Sequence, residues 1–131
     1  MITRLGLLLT FLLIHTVALA QSTQKDSIDV LSIAEFERKS IKKNTLVIDV
    51  RTPEEVADGH LPGSVNIDFL RENFAQEINV LNKKATYLVY CRTGKKSREA
   101  ADQMKKAGFK HVYMLEGGFT AWQEAGKPIE K

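Results

Sequence analysis

The sequence predicts an α/β fold, a parallel sheet with helices on both faces, and two observations carry that expectation. Short apolar runs recur along the chain and alternate with stretches of helical periodicity, which is the pattern of a parallel sheet crossed over by helices. Runs such as Thr45-Leu46-Val47-Ile48 are continuously apolar rather than alternating, as strands covered on both faces are. A length of 131 residues allows one domain. A composition of 44% hydrophobic and 27% charged residues excludes a disordered or fibrous chain.

The first twenty residues are read apart from the domain. Arg4 gives a positive start, Leu5 to Ile14 is largely apolar, and Ala18-Leu19-Ala20 has the small-x-small pattern of a signal-peptidase site. The stretch from Leu5 to Ala20 is shorter than the roughly 20 residues that span a bilayer, so cleavage after Ala20 is preferred to an uncleaved anchor. No cysteine near the site would accept a lipid. The expectation is an export leader at 1–20 that is cleaved after Ala20, a polar lead-in at 21–27 and one domain at 28–131, working in a periplasm and not attached to a membrane.

The elements follow in order. Ile28 to Leu31 reads as a short strand, and Ser32 with Glu35 forms a capping box that opens a helix at 33–40 with Ile33, Phe36 and Ile41 inward. Thr45 to Val50 is a buried strand. Pro53 opens a short helix, with Glu54 and Glu55 near its positive end. Gly59 to Gly63 is turn chemistry, and Ser64 to Ile67 is a further strand. Leu70, Phe74, Ile78 and Leu81 recur at helical spacing and predict a helix ending near Asn82. Ala85 to Tyr90 is a strand that runs straight into Cys91. After a loop at 92–96, a helix reaches Ala107 with Ala100, Met104 and Ala107 on one face, and Gly108 stops it. Val112 to Leu115 is the last strand, Gly117-Gly118 a tight turn, and Phe119 to Glu124 the last helix. Phe109, Phe119 and Trp122 are read as core.

Removing residues 1–20 takes away Arg4 and no acid, so the formal charge falls from +3 to +2. Basic and acidic residues are interspersed, which argues against a nucleic-acid partner. The chain has one cysteine, and one thiol cannot form an internal disulfide. Cys91 is therefore either an inert buried residue or a thiol that is used. His15, His60 and His111 belong to no ligand cluster, so no metal site is expected.

In open parallel sheets ligands bind beyond the carboxyl ends of strands. Two such ends carry charged or reactive groups: Asp49-Val50-Arg51 and Tyr90-Cys91-Arg92. Gly94 permits a turn whose successive amides form an anion-binding nest, and the helix that follows adds partial positive charge. Arg92, Lys95, Lys96 and Arg98 add four cations. Together these groups favour a thiolate, the nucleophilic form of cysteine, and attract a small anion. Asp49 and Arg51 are read as a structural pair supporting the loop, with Glu55 bracing Arg51.

The motifs L-V-I-D-V-R-T-P-E-E at 46–55, G-H-L-P-G-S-V-N-I at 59–67, Y-C-R-T-G-K-K-S at 90–97 and L-E-G-G-F-T-A-W at 115–122 resemble those of rhodanese-type sulfurtransferase domains, in the same order and with similar spacing. The resemblance covers the chain from about Ile28 to Lys131. It implies a single rhodanese-like domain with a five-stranded parallel sheet, and ping-pong sulfur transfer. Cys91 would take the outer sulfur of thiosulfate or a related sulfane donor as a persulfide, held by Arg92, Thr93, Gly94, Lys95, Lys96 and Ser97. A thiol, or cyanide in vitro, would then remove it, with no cofactor required. Active members of the family often carry arginine where this loop has Lys96, and lysine lacks the planar fork that grips an oxyanion at two points.

Three other functions remain to be weighed. A cysteine-loop phosphatase or arsenate reductase needs arginine six positions after the cysteine, and Ser97 stands there. A non-catalytic binding module would have no use for Cys91. A redox role would require an external thiol, since the chain has no resolving cysteine.

Overall fold

The computed structural model describes residues 27–131. The expected leader, and all of the lead-in but Ser27, lie outside the described residues. Ten elements alternate along the chain. They are β1 (Asp29–Leu31), α1 (Ile33–Ser40), β2 (Thr45–Asp49), α2 (Pro53–Ala57) and β3 (Val65–Asn66), then α3 (Phe74–Asn79), β4 (Thr86–Tyr90), α4 (Lys95–Lys106), β5 (His111–Leu115) and α5 (Gly118–Glu124). The five strands pair in the order β1-β5-β4-β2-β3, and every pair is parallel.

Each face of the sheet has its own apolar cluster, because side chains alternate along a strand. On β4, Tyr87 and Val89 point to one face, where Ala100, Ala101 and Met104 of α4 and Phe74 and Ile78 of α3 are buried; Cys91 joins the same cluster. Leu88 and Tyr90 point to the other, against Phe36 of α1 and Phe119 and Trp122 of α5. The sequence expectation of helices on both faces is met.

Strand order also fixes where a ligand can bind. After β2 the chain moves outward to β3, and after β4 it moves the other way to β5. The connections therefore diverge from a crevice between β2 and β4, the topological switch point at which open parallel sheets bind ligands. Asp49 and Tyr90 are register partners at the carboxyl ends of these strands. The pairing extends one residue further, with the Val50 amide donating to Tyr90 O at 3.1 Å.

The capping box forms as read: Ser32 Oγ accepts from the Glu35 amide at 3.2 Å, and Glu35 accepts from the Ser32 amide at 3.4 Å. Such a cap stabilises a helix by about 1 kcal/mol. Two readings of the core need correction. Ile41 is 83% exposed, because α1 ends at Ser40 and Ile41 is its C-cap. The helix expected from Leu70 begins only at Phe74, and Leu70 is 61% exposed. The cause is Asp68, whose side chain accepts from the Leu70 amide at 2.9 Å and holds the chain in turns. Phe69 takes the apolar role instead, edge-on to Phe74 with ring centroids 5.1 Å apart.

These corrections have a measurable consequence. Ile41→Lys and Leu70→Lys are expected to change unfolding free energy by no more than about 0.5 kcal/mol, as surface substitutions do. Ile78→Ala, which empties a buried position, is expected to cost about 2–5 kcal/mol in urea denaturation. A cost above 1 kcal/mol for Leu70→Lys would restore the longer helix.

Candidate active site

Cys91 follows β4 directly and is 3% exposed. Its Sγ accepts from the Gly94 amide at 3.1 Å and lies 3.3 Å from Ser97 Oγ, which donates to Gly94 O at 3.1 Å. Gly94 has φ 130°, a conformation that side chains rarely adopt, and it turns the chain from the sulfur into α4. The first-turn amides of Lys95, Lys96 and Ser97 have no partner within the helix. Nor do the amides of Arg92 and Thr93 meet a carbonyl among the described residues. The Gly94 amide thus points at the sulfur, beside loop amides that meet no carbonyl among the described residues.

The far side of the loop is held by α5. The amides of Phe119 and Thr120 donate to Cys91 O at 2.9 Å and Arg92 O at 3.1 Å. This approach is possible only at glycine: a Cβ on Gly118 would lie 2.6 Å from both carbonyl oxygens, and its φ is 61°. The Gly117-Gly118 pair, legible in the sequence as a tight turn, is a seat for the cysteine loop.

Arg92, Thr93, Lys95 and Lys96 line a pocket of about 230 Å³ with Cys91, Arg51 and Glu55. None of Arg92, Lys95, Lys96 and Arg98 is in an ion pair among the described residues. Lysines in the first turn oppose the helix dipole, each by about 0.3–1 kcal/mol, so their placement is not explained by the stability of α4. It raises positive potential over the sulfur. Arg98 and Gly94 border a separate cavity, and Ser97 is fully buried beneath the sulfur.

Asp49 and Arg51 form the expected pair. Asp49, fully buried, accepts from Arg51 Nε at 3.0 Å, Arg51 Nη2 at 2.7 Å and the Arg51 amide at 3.0 Å. Nη2 also donates to Gly59 O at 2.7 Å, and the guanidinium lies 4.1 Å from the centre of the Phe119 ring. Burial by itself would lower the pKa of Arg51, but its hydrogen bonds to Asp49 and the charge of that residue raise it overall. Asp49 thus sits behind the pocket, while Arg51 forms part of its wall.

Glu55 does not brace Arg51, contrary to expectation. Its carboxylate accepts from Thr52 Oγ1 at 3.3 Å at the start of α2, and the fork of Arg51 is already engaged by Asp49. Glu55 shares only the pocket wall. His60, read as a turn residue, contacts Leu61 O at 3.0 Å and Ser64 Oγ at 3.2 Å through Nδ1.

The residue that sequence reasoning missed is Tyr90. Its hydroxyl donates to Asp49 Oδ2 at 2.5 Å and accepts from the Leu61 amide at 3.0 Å, with Ser64 Oγ at 3.2 Å. Burial first, then the charge and hydrogen bond of Asp49, push the pKa of Tyr90 far above its usual range. A tyrosine ending an apolar strand beside Cys91 was the only available signal, and it reads equally well as core.

A cysteine just after a strand end, held by the Gly94 amide in a pocket lined by Arg92, Lys95 and Lys96, lies at the switch point of a five-stranded parallel sheet. Residues 20–125 match a family model described as the rhodanese-like domain. The chain belongs to the rhodanese-like domain family. Among similar proteins, the thiosulfate sulfurtransferase GlpE of Shewanella oneidensis is 33% identical over 95 residues, covering 72% of this chain and 92% of that protein. The putative sulfurtransferase YtwF of Bacillus subtilis is 32% identical over 100 residues, covering 76% of this chain and 94% of its own. Among solved structures, a rhodanese-related protein of Thermoplasma volcanium matches with a TM-score of 0.69 at 26% identity, covering 78% of this chain and 97% of that one. A Rhodopseudomonas palustris protein of unknown function, described as a possible tyrosine phosphatase, matches with a TM-score of 0.65 at 32% identity, covering 79% and 85%. These relatives support membership of a sulfurtransferase family.

Tyr90→Phe is expected to lower stability by about 1–3 kcal/mol in urea, because Asp49 loses a donor and the Leu61 amide its acceptor. The raised pKa of Tyr90 also sets a sign. The fold favours the neutral phenol, so this contribution is full below about pH 10 and is lost as pH rises further. Wild type should therefore lose stability above pH ~10 more steeply than Tyr90→Phe. Equal alkaline slopes would remove Tyr90 from the network.

Proposed function

We propose that this rhodanese-like protein moves a sulfane sulfur from thiosulfate or a related anionic donor to a thiol acceptor through a persulfide on Cys91. The observation that carries the proposal is a buried sulfur that accepts from the Gly94 amide in a pocket lined by Arg92, Lys95 and Lys96. In the first half-reaction the Cys91 thiolate attacks the outer sulfur of the donor. A bond forms between Sγ and that sulfur, the sulfur–sulfur bond of thiosulfate breaks, and sulfite departs with the electron pair. The outer sulfur keeps a negative charge on Cys91, which the loop amides beside Gly94 that meet no carbonyl can stabilise. Ser97 Oγ can turn its proton from Gly94 O to the sulfur, since it already lies 3.3 Å away. Lys95, Lys96 and Arg92 face the sulfonate, and the acceptor takes the sulfane sulfur in the second half-reaction.

One neighbour favours a phosphatase reading, the Rhodopseudomonas palustris protein. The residue six positions after Cys91 decides against it: Ser97 is fully buried on the sulfur, and Arg98 is exposed and turned toward another cavity. Turnover of an aryl phosphate by wild type but not by Cys91→Ala would reverse that preference. We also propose that the protein works outside the cytoplasm after cleavage following Ala20, on the strength of the leader-like composition of residues 1–20.

Incubation of the mature protein with thiosulfate is expected to add one sulfur to wild type and none to Cys91→Ser, read by intact mass, with cyanide removing it as thiocyanate. No gain with any sulfane donor would leave the fold to docking or redox work. Lys96→Arg is expected to lower KM for thiosulfate by about three- to tenfold, since a bidentate guanidinium replaces a point charge. An unchanged KM would mean that Lys96 does not touch the donor.

A further inference from the structure

The fold gathers positive charge that the sequence disperses. The turn into β2 carries Lys42 and Lys43, and the turn into β4 carries Lys83 and Lys84. The turn from α4 into β5 carries Lys110, just beyond Lys105 and Lys106 in the last turn of the helix. The strands are parallel, so all three turns lie at one end of the sheet. Backbone bonds tie them together: the Thr86 amide donates to Asn44 O at 2.8 Å, and the Lys110 amide to Lys83 O at 3.1 Å. Cys91 follows the opposite end of β4, roughly 16 Å away at the rise of a strand.

Residues 41–45, 80–86 and 105–111 include no aspartate or glutamate. None of the seven lysines is in an ion pair among the described residues. Without them and Arg4, the 19 basic residues of the chain become 11 against 16 acidic ones, so the remainder is net negative. The fold explains three of the seven. Lys105 and Lys106 complement the negative end of α4, an effect confined to the last turn of a helix, and Lys83 lies over the Phe109 ring. Lys42, Lys43, Lys84 and Lys110 are exposed and make no such contact. Like charges gathered at one end repel one another and weaken the fold. The two most exposed large apolar side chains among the described residues also stand here. Ile41, 83% exposed, is beside Lys42, and Val80, 85% exposed, is three residues before Lys83.

We propose that this end of the sheet docks on the surface of a bilayer that contains anionic phospholipid. Each lysine near a negatively charged surface adds to the affinity, and apolar side chains among the lysines enter the boundary between headgroups and acyl chains. That combination favours a membrane over a nucleic acid, which would meet the lysines but has no use for Ile41 and Val80. The entry of the chain into the domain agrees with it. β1 begins at this same end, two residues after Ser27, so a precursor held by its leader-like segment at 1–20 would present this face to the bilayer. Docking in this orientation leaves Cys91 and its pocket at the far end, open to solutes. It does not depend on what Cys91 does, and it replaces the sequence expectation of a domain without membrane contact.

The test sediments the mature chain, 21–131, with phosphatidylcholine vesicles that contain or lack phosphatidylglycerol. Binding is expected only with the anionic lipid, and it should weaken at high salt. Lys84→Gln with Lys110→Gln should lower the partition coefficient about 25-fold, at about fivefold per lysine. Arg71→Gln with Lys131→Gln removes the same charge from other exposed positions and should lower it no more than about twofold. Ile41→Ser, which leaves the charge unchanged, should lower it by about threefold. Equal losses in the two double variants would mean that net charge alone attracts the protein, and would overturn the docking face. A second measurement needs no variant: amide shifts of wild type are followed by NMR as short-chain phosphatidylglycerol is added. Shifts at 42–44, 83–84 and 105–111 support the face, and shifts confined to the cationic loop after Cys91 overturn it. Absence of binding to the anionic vesicles would overturn it too, and binding to a DNA duplex instead, lost in Lys84→Gln with Lys110→Gln, would assign the lysines to nucleic acid.

Discussion

The carboxylate of Asp49 is fully buried at the end of the sheet, and the geometry of the site depends on how it is satisfied. An ion taken out of water costs several kcal/mol unless its lone pairs find donors of good geometry. Here the donors are Arg51, just beyond β2, and Tyr90, the last residue of β4. Each then reaches a third segment, Arg51 to Gly59 O and Tyr90 to the Leu61 amide. Asn66 of β3 closes the set by donating to Asp49 O and Arg51 O, both at 2.9 Å. One charge thus ties the carboxyl ends of β2 and β4 to the turn at 59–61, and Asn66 adds β3 through the backbone. Since side chains alternate along a strand, holding the Tyr90 ring on one face of the sheet sets Cys91 toward the other.

The loop after Cys91 is held from the opposite direction, by backbone rather than by charge. Its two carbonyls are taken by the first amides of α5, and Gly118 leaves room for that approach. With those carbonyls engaged by α5, the Gly94 amide of the same loop donates to the sulfur. Lys95 and Lys96 then stand at a helix end that repels them. Their positive potential is therefore a local cost to the fold that only an anion in the pocket offsets.

The alternation of elements, the cysteine loop and the Asp49–Arg51 pair were legible in the sequence because each has a local signature: an apolar run, a glycine between cations, a charged pair at a strand end. What was not legible depends on tertiary contact. Tyr90 completes an apolar run, and nothing in that run shows that its hydroxyl meets a carboxylate from the neighbouring strand. Glu55 is close to Arg51 in sequence, yet its carboxylate meets Thr52 while Arg51 is engaged by Asp49. Leu70 fits the helical period, but Asp68 binds the following backbone and starts the helix later. In each case a hydrogen bond overrode a pattern, and the pattern carries no information about the bond.

The transfer proposed above would place a particular demand on such a site, because two reactants would have to reach one sulfur in turn. Cys91 is nearly closed off, and the pocket above it holds about 230 Å³, so sulfite must leave before the acceptor's sulfur enters. A uniformly cationic cleft would retain sulfite and draw the next donor in preference to any acceptor. Dividing the opening by charge relieves that competition. In that reading the cations of the loop meet the donor, while Glu55 and Asp58 line the adjoining cavity. The shared residues Arg51 and Arg92 stand at the boundary, and Arg51 keeps its orientation throughout because Asp49 and Gly59 hold it from behind. Under the proposed transfer, the order of the two half-reactions would follow from the distribution of charge around the sulfur.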